Sequence, residues 1–178
     1  STMRDALVAG LSLNIFNKHC DRVKMANIAQ LINVLQAVIL TDGPRMLRTP
    51  TYHVFHMYKY HQDADLVESY LDGVETIGEE KEYMVPSLQE SVSVDKEGIL
   101  TITLNNLSVD KNEPVEISFA ECQTKEVTAA ILNNEMHAYN TFEDPDKVHE
   151  EVFSNYTVEN GMIRFTMPAS SVVQFRVR

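Results

Sequence analysis

The first third of the chain combines helical and strand-like hydrophobic patterns. Residues Met3–His19 place apolar side chains around most of a helical circumference, which predicts a well-buried helix. Thr2 and Asp5 stand at its start with the spacing of a capping box. Val23–Ala29 is a short, mostly apolar run, and this is typical of a parallel strand that is covered on both faces.

A second helix is predicted after a further apolar stretch. The pattern of Leu31–Leu40 does not decide between helix and strand, and Thr41–Pro44 ends this stretch with a strong turn signal. Thr49 and Pro50 then fit the N-cap and the first position of a helix. Its apolar face would carry Val54, Phe55 and Tyr58.

The rest of the chain alternates between apolar and polar residues with the period of a strand. Short alternating runs recur about every ten residues and are separated by Asp, Asn and Gly turns, which indicates an antiparallel β-sandwich or jelly roll. Residues 133–148 are polar and predict a long loop. The predicted strands are Leu88–Val94, Ile99–Leu104, Val115–Ala120, Glu126–Leu132, Glu151–Val158, Met162–Met167 and Ser171–Val177.

A single helix–strand–helix unit cannot cover its own strand, because a parallel strand needs parallel strands on either side. We therefore expect residues 1–62 to be the last helix–strand–helix segment of a larger α/β body, most commonly a (β/α)₈ barrel. Residues 63–178 would be a C-terminal β-sandwich, so the chain as a whole is mainly β. In such a barrel, ligand-contacting residues lie at the C-terminal ends of the strands, and Gln30 has that position. By pattern alone, Gln30 is also compatible with an amide that caps a turn, and we expect structural roles for Asn27 and Asn33.

The charge distribution agrees with a division near residue 62. The net charge of the 178 residues is −11. Residues 1–62 hold seven basic and three acidic residues, whereas residues 63–178 hold eight basic and 23 acidic ones. The acidic surface argues against nucleic acid or anionic membranes as partners. The apolar stretch Ala6–Phe16 is too short to span a bilayer. The chain lacks an initiator Met, and we expect it to be part of a longer protein.

Several other patterns could support chemistry, but each has a simpler interpretation. His53 and His56 are three residues apart on the second helix, where two imidazoles can bind a metal, yet nothing nearby completes the set, so we expect core or surface histidines. Tyr52, Tyr58 and Tyr60 could form a platform for sugars, but their helical spacing is more typical of packing. We expect no metal and no cofactor.

The two cysteines and the two glycosylation sequons are the last candidate functional residues in the sequence. Cys20 and Cys122 lie in different units and are expected to be free thiols, since two cysteines cannot form a disulfide scaffold. The sequons at Asn106 and Asn155 matter only in a pathway that glycosylates proteins.

Three stretches resemble family 51 α-L-arabinofuranosidases. Residues 21–37 look like the last barrel strand of that family, and Met3–Gly10 and Thr49–Phe55 are similar to its flanking helices. The resemblance implies a (β/α)₈ barrel followed by a jelly roll, which releases terminal α-L-arabinofuranosyl groups with retention by means of two Glu residues. Both Glu residues belong to earlier barrel strands, so this chain has no catalytic residue of its own and is expected to be inactive alone. The resemblance assigns Gln30 to a hydrogen bond with the arabinose in the −1 subsite.

The same resemblance implies an arabinose-containing glycan as the substrate of the intact enzyme, a homo-oligomer, and a cytoplasmic or periplasmic bacterial location. A second hypothesis is a non-catalytic β-sandwich module that binds carbohydrate or protein, which exposed aromatics on one sandwich face would favour. That hypothesis does not explain the apolar run at Val23–Ala29. Without the rest of a barrel, residues 1–62 should pack on the sandwich, self-associate, or contact a part of the protein outside this chain.

Overall fold

The computed structural model describes residues 1–120 and 126–178. Two α-helices, α1 (Met3–Lys18) and α2 (Pro50–Tyr58), precede most of the strands. Short 3₁₀ turns follow at Lys59–His61 and Lys81–Tyr83. Within the described ranges, no helix has the length and apolar character needed to cross a bilayer.

Eleven of the thirteen described strands come after α2. The strands are β1 (Ile39–Asp42), β2 (Arg45–Arg48), β3 (Asp65–Val67), β4 (Thr76–Ile77), β5 (Val85–Pro86), β6 (Leu88–Val94), β7 (Leu100–Asn106), β8 (Glu113–Ile117), β9 (Val127–Asn133), β10 (Glu151–Val152), β11 (Tyr156–Glu159), β12 (Met162–Met167) and β13 (Ser171–Val177). A six-stranded antiparallel sheet has the order β10-β9-β13-β7-β6-β3, and a three-stranded antiparallel sheet has the order β11-β12-β8. The pairs β1–β2 and β4–β5 form separate hairpins.

The two larger sheets enclose one hydrophobic core, which confirms the predicted β-sandwich. Phe175 of β13 is fully buried and lies with its ring centroid 4.9 Å from that of Phe165 on β12. Ile102 and Leu104 of β7 and Ile163 of β12 belong to the same core. Aromatic side chains at this centre bury large apolar areas, which makes them the main contributors to sandwich stability.

The predicted strand limits are accurate where pairing follows the alternating pattern. The limits of β6, β12 and β13 agree fully with the prediction. The run predicted at Glu151–Val158 is instead two strands in different sheets, because β10 pairs with β9 and β11 pairs with β12. Phe153 is buried where the chain passes between the sheets. Strands that change sheets at a corner are a usual feature of sandwiches, and alternation does not reveal them.

A second hydrophobic core lies between the helices and the outer face of the six-stranded sheet. Met3 and Leu7 of α1 pack with Val54 of α2 and with Leu132 and Val172 of the sheet. The helices of residues 1–62 therefore do pack on the sandwich. Only one face of α1 takes part, so the prediction of a well-buried helix was wrong: the exposed side of α1 carries Val8, Ile15 and Phe16.

The strand predicted at Val23–Ala29 is not formed. Residues 23–28 have no regular secondary structure, and Met25 is 76% exposed. An apolar sequence of strand length forms a strand only where neighbouring strands supply hydrogen-bond partners. The described part of this chain places no strand beside residues 23–29, so the segment is unpaired in the sense that it belongs to no sheet.

Candidate functional site

Gln30 lies at the end of the unpaired segment, and its side chain is exposed. The turn after it is well defined. The Leu31 carbonyl oxygen accepts hydrogen bonds from the backbone N–H groups of Val38 and Ile39, each at 3.2 Å. Asn33 has a positive φ of 55° and exchanges two hydrogen bonds with Thr41, both at 2.7 Å. Asn33 therefore has the structural role that the sequence predicted.

The N-terminus of α2 is fixed to the same turn. The Thr49 N–H donates to the Val38 carbonyl oxygen at 2.9 Å, and the Thr49 hydroxyl donates to the Ala37 carbonyl oxygen at 2.9 Å. Thr49 is the N-cap residue by position and Pro50 begins the helix, as predicted. Its hydroxyl does not cap the helix, however, because it stabilises the turn after Gln30 instead.

The loop 133–148, which was predicted only as a polar connection, joins this turn to α1. Asn140 donates from Nδ2 to the carbonyl oxygens of Arg48 and Val148, each at 2.8 Å, and its Oδ1 accepts from the Val148 N–H at 2.7 Å. The Arg45 guanidinium lies 4.8 Å above the Phe142 ring. One sequence signal was available, since Asn side chains in loops often form hydrogen bonds with backbone groups.

The same loop also caps the first turn of α1. The N–H of Met3 donates to the Ala138 carbonyl oxygen at 2.8 Å, and the N–H of Arg4 donates to the Met136 carbonyl oxygen at 2.9 Å. The Thr2 N–H donates to the Asp5 carboxylate at 2.7 Å, which confirms the capping box. These hydrogen bonds satisfy backbone donors that a helix leaves unpaired at its start. Both helix N-termini and the turn after Gln30 thus meet at one loop of the sandwich.

An exposed apolar surface surrounds the unpaired segment. A groove of about 410 Å³ runs between α1 and residues 26–29, and Phe16 of α1 and Phe55 of α2 are among its lining residues. Beyond it, Leu35 is 88% exposed, and Leu31 and Ile32 are also exposed. An apolar groove with exposed apolar side chains on the same segment is typical of an interaction site.

The other residues that the sequence proposed for metal or sugar binding do not come together in one site. His53 is buried, and burial lowers the pKa of its imidazole, whereas the Nδ1 atom of His56 lies 2.6 Å from a carboxylate oxygen of Glu150. Among the residues with described positions, no three His, Cys, Asp or Glu side chains form a group that could hold a metal ion. Tyr58 is buried, and the Tyr60 ring is covered by the Arg176 guanidinium at 3.8 Å.

The tyrosines therefore pack, as their helical spacing predicted. Of the two sequons, Asn155 is exposed, whereas Asn106 is fully buried and its Nδ2 donates to the carbonyl oxygens of Lys111 at 2.9 Å and Pro168 at 3.1 Å. Cys20 is an exposed free thiol, and Cys122 lies outside the described residues.

Comparison with known proteins defines the class of molecule as part of a glycoside hydrolase. An intracellular exo-α-L-arabinofuranosidase from Bacteroides ovatus is 38% identical over 179 residues, which cover 100% of this chain and 35% of the relative. An exo-α-(1→6)-L-arabinofuranosidase from Bifidobacterium longum is 26% identical, covering 98% of this chain and 34% of that protein.

Solved structures and the family model agree with these relatives. The crystal structure of a family 51 arabinofuranosidase from Xanthomonas axonopodis pv. citri superposes with a TM-score of 0.94 at 37% identity, over 100% of this chain and 36% of that one. The family model of the α-L-arabinofuranosidase C-terminal domain matches residues 1–171. The chain belongs to this family, and it spans about a third of the length of the relatives it matches. The predicted resemblance to the C-terminal portion of family 51 is thereby confirmed.

Proposed function

We propose that this chain is the C-terminal part of a retaining exo-α-L-arabinofuranosidase that removes terminal α-L-arabinofuranosyl groups from arabinose-containing glycans. One observation carries the proposal: the match to arabinofuranosidases runs through the helical residues and the sandwich alike, over the whole chain. The relatives' names include (1→5) and (1→6) specificities, so the proposal names the terminal sugar and leaves the linkage open.

We propose further that residues 1–62 complete a (β/α)₈ barrel, with residues 63–178 as the sandwich domain. The unpaired apolar segment at residues 23–29 and the exposed Leu31, Ile32 and Leu35 support this division, because barrel strands and helices upstream would cover them. In that arrangement, the Gln30 amide lies at the C-terminal end of the last strand and binds the arabinose. The two catalytic Glu residues come from earlier strands, so this chain alone is inactive.

The test compares the intact protein with this chain. The intact protein should release arabinose from methyl α-L-arabinofuranoside, and proton NMR should show that the first product retains the α configuration. This chain at equal concentration should release none. If the intact protein left α-L-arabinofuranosides unchanged, the proposed activity would be wrong, and turnover by this chain alone would refute the assignment of catalysis to the upstream barrel.

The alternative of an independent binding module leads to a different result. Such a module would bind arabino-oligosaccharides without the upstream barrel, and isothermal titration of this chain would detect heat of binding. We expect none, because the helices cover the outer face of the six-stranded sheet and the exposed Tyr70, Tyr83 and Tyr139 all lie outside the strands.

A further inference from the structure

Residues 134–148 of the loop contain no strand or helix, yet hydrogen bonds tie them to both helix starts. Ala138 and Asn140 are each only 6% exposed. Their hydrogen bonds join the loop to the first turn of α1 and to Arg48, directly before α2. Tyr139, between these two anchors, is 54% exposed. The loop therefore presents one aromatic side chain to solvent from a fixed backbone.

The position of this loop follows from the topology of β/α units. Each helix runs antiparallel to the strand before it, so the helix N-termini and the strand C-termini lie at the same face of a barrel, which is the face that binds substrate. The loop contacts both helix N-termini in this chain. It would consequently lie at the substrate-binding face, although it belongs to the sandwich.

A continuous series of hydrogen bonds leads from Gln30 to the same loop. The Leu31 carbonyl, next to Gln30, accepts from the N–H of Val38, and the Val38 carbonyl accepts from the N–H of Thr49. The carbonyl of Arg48, the neighbour of Thr49, accepts from the Asn140 side chain at 2.8 Å. Tyr139 and Gln30 are thus linked through these hydrogen bonds and the peptide bonds between neighbouring residues.

From this arrangement we infer that Tyr139 binds the part of the glycan beyond the terminal arabinose, the leaving-group sugar. The inference rests on the proposed function. In the proposed function, the terminal arabinose binds beside Gln30 at the end of the barrel strand. The rest of the glycan then projects out of the barrel, so a side chain at the rim of the barrel contacts that projecting part. Tyrosine suits this task because its flat ring offers apolar contact area at small conformational cost, and its hydroxyl adds a hydrogen bond.

The experiment compares two substrates in the intact enzyme. Methyl α-L-arabinofuranoside has no leaving-group sugar, whereas an arabino-oligosaccharide has one. Tyr139→Ala should lower kcat/KM for the oligosaccharide about three- to tenfold, mainly through KM, and leave kcat/KM for the methyl glycoside unchanged. Tyr139→Phe keeps the ring and should retain most of the oligosaccharide activity.

Two exposed tyrosines elsewhere in the sandwich, Tyr70 and Tyr83, provide matched controls, and their Ala variants should behave as wild type. An equal loss on both substrates, or no loss on either, would overturn the inference while the proposed function stands. A wild-type enzyme that hydrolyses neither substrate would instead refute the proposed function, and the inference with it. Equal thermal unfolding midpoints of wild type and Tyr139→Ala would establish that any loss of activity reflects binding.

Discussion

The hydroxyl oxygen of Tyr58 lies 3.2 Å from the side-chain nitrogen of Asn105 and connects α2 to the six-stranded sheet. The same hydroxyl donates to the carbonyl oxygen of Gly10 on α1, also at 3.2 Å. Burial raises the pKa of the Tyr58 phenol, so it stays protonated and able to donate at neutral pH. One buried phenol thus joins both helices to strand β7.

Tyr58→Phe should lower the free energy of unfolding by about 1–3 kcal/mol, because it leaves the buried Asn105 amide and the Gly10 carbonyl each without this partner. Urea denaturation of this chain, followed by circular dichroism, measures the change. Tyr52→Phe on the same helix is the matched control, since Tyr52 is only partly buried. Equal stabilities of the Tyr58→Phe and Tyr52→Phe variants would contradict a structural role for the Tyr58 hydroxyl.

Gly10 permits the close approach of α1 to the same asparagine. A Cβ atom at this position would lie 2.5 Å from Asn105 Oδ1. Gly10→Ala should therefore destabilise the chain by about 1–2 kcal/mol, even though alanine is favoured over glycine within a helix by about 1 kcal/mol. Ser12→Ala, two residues further along the same helix, is the control, and it should leave the free energy of unfolding unchanged or raise it slightly. If denaturation shows Gly10→Ala to be the more stable of the two variants, the helix and sheet are not in this close contact.

The structure shows why local patterns predicted some elements and not others. Strands β12 and β13 were predicted with their exact limits because each has alternating or continuous apolar residues and a partner strand within the chain. Val23–Ala29 has an equally clear pattern, but the described part of the chain places no partner strand beside it. A hydrophobic pattern indicates which side chains of a segment can be buried, but the segment forms a strand only where a neighbouring strand pairs with it.

The candidate site shows a related limit. Gln30 was assigned by resemblance to a family motif, and its contacts with substrate stay a prediction. The anchoring by Asn140 was not predicted, because the Arg48 carbonyl that it binds is 92 positions away in the sequence. The polar contacts between α1 and the sheet were not predicted either. The side chain of Asn14 accepts hydrogen bonds from the Ser91 and Thr103 hydroxyls, and the alternating pattern places these two residues on a strand face but does not indicate what they contact.

His61 should make the stability of this chain pH-dependent. Its Nδ1 lies 2.7 Å from the Ser93 hydroxyl and its Nε2 lies 2.9 Å from the Thr103 hydroxyl, and burial lowers the pKa of the imidazole from 6.5 to about 4. The unfolded chain binds the proton more readily, so this contribution to stability is complete above pH 6.5 and is lost as the pH falls towards 4. Between pH 7 and pH 5 the loss is at most about 2 kcal/mol.

Urea denaturation at both pH values should show a smaller difference for His61→Gln than for wild type. Gln keeps a donor and an acceptor but does not titrate. His19→Gln, at an exposed position, is the control and should keep the wild-type difference. An unchanged pH difference in His61→Gln would mean that His61 binds protons equally in the folded and unfolded states.

Gln30 provides the most direct test of the proposed subsite. In the intact enzyme, Gln30→Ala should lower kcat/KM for methyl α-L-arabinofuranoside at least about tenfold, which corresponds to about 1.4 kcal/mol of lost transition-state binding. Gln30→Glu keeps the shape but replaces the amide donor with an acceptor, so it should also lose activity if the amide donates to a sugar hydroxyl.

Gln36→Ala is the matched control for this site, because Gln36 is an exposed amide on the same turn that donates to Asp5 at 3.3 Å. It should leave kcat/KM within about twofold of wild type, since loss of an exposed hydrogen bond costs about 0.5 kcal/mol or less. Because this substrate has no leaving-group sugar, a loss on it distinguishes the arabinose subsite of Gln30 from the contact inferred for Tyr139. Wild-type kcat/KM in Gln30→Ala would remove Gln30 from the substrate site and leave it an exposed amide at the end of the unpaired segment.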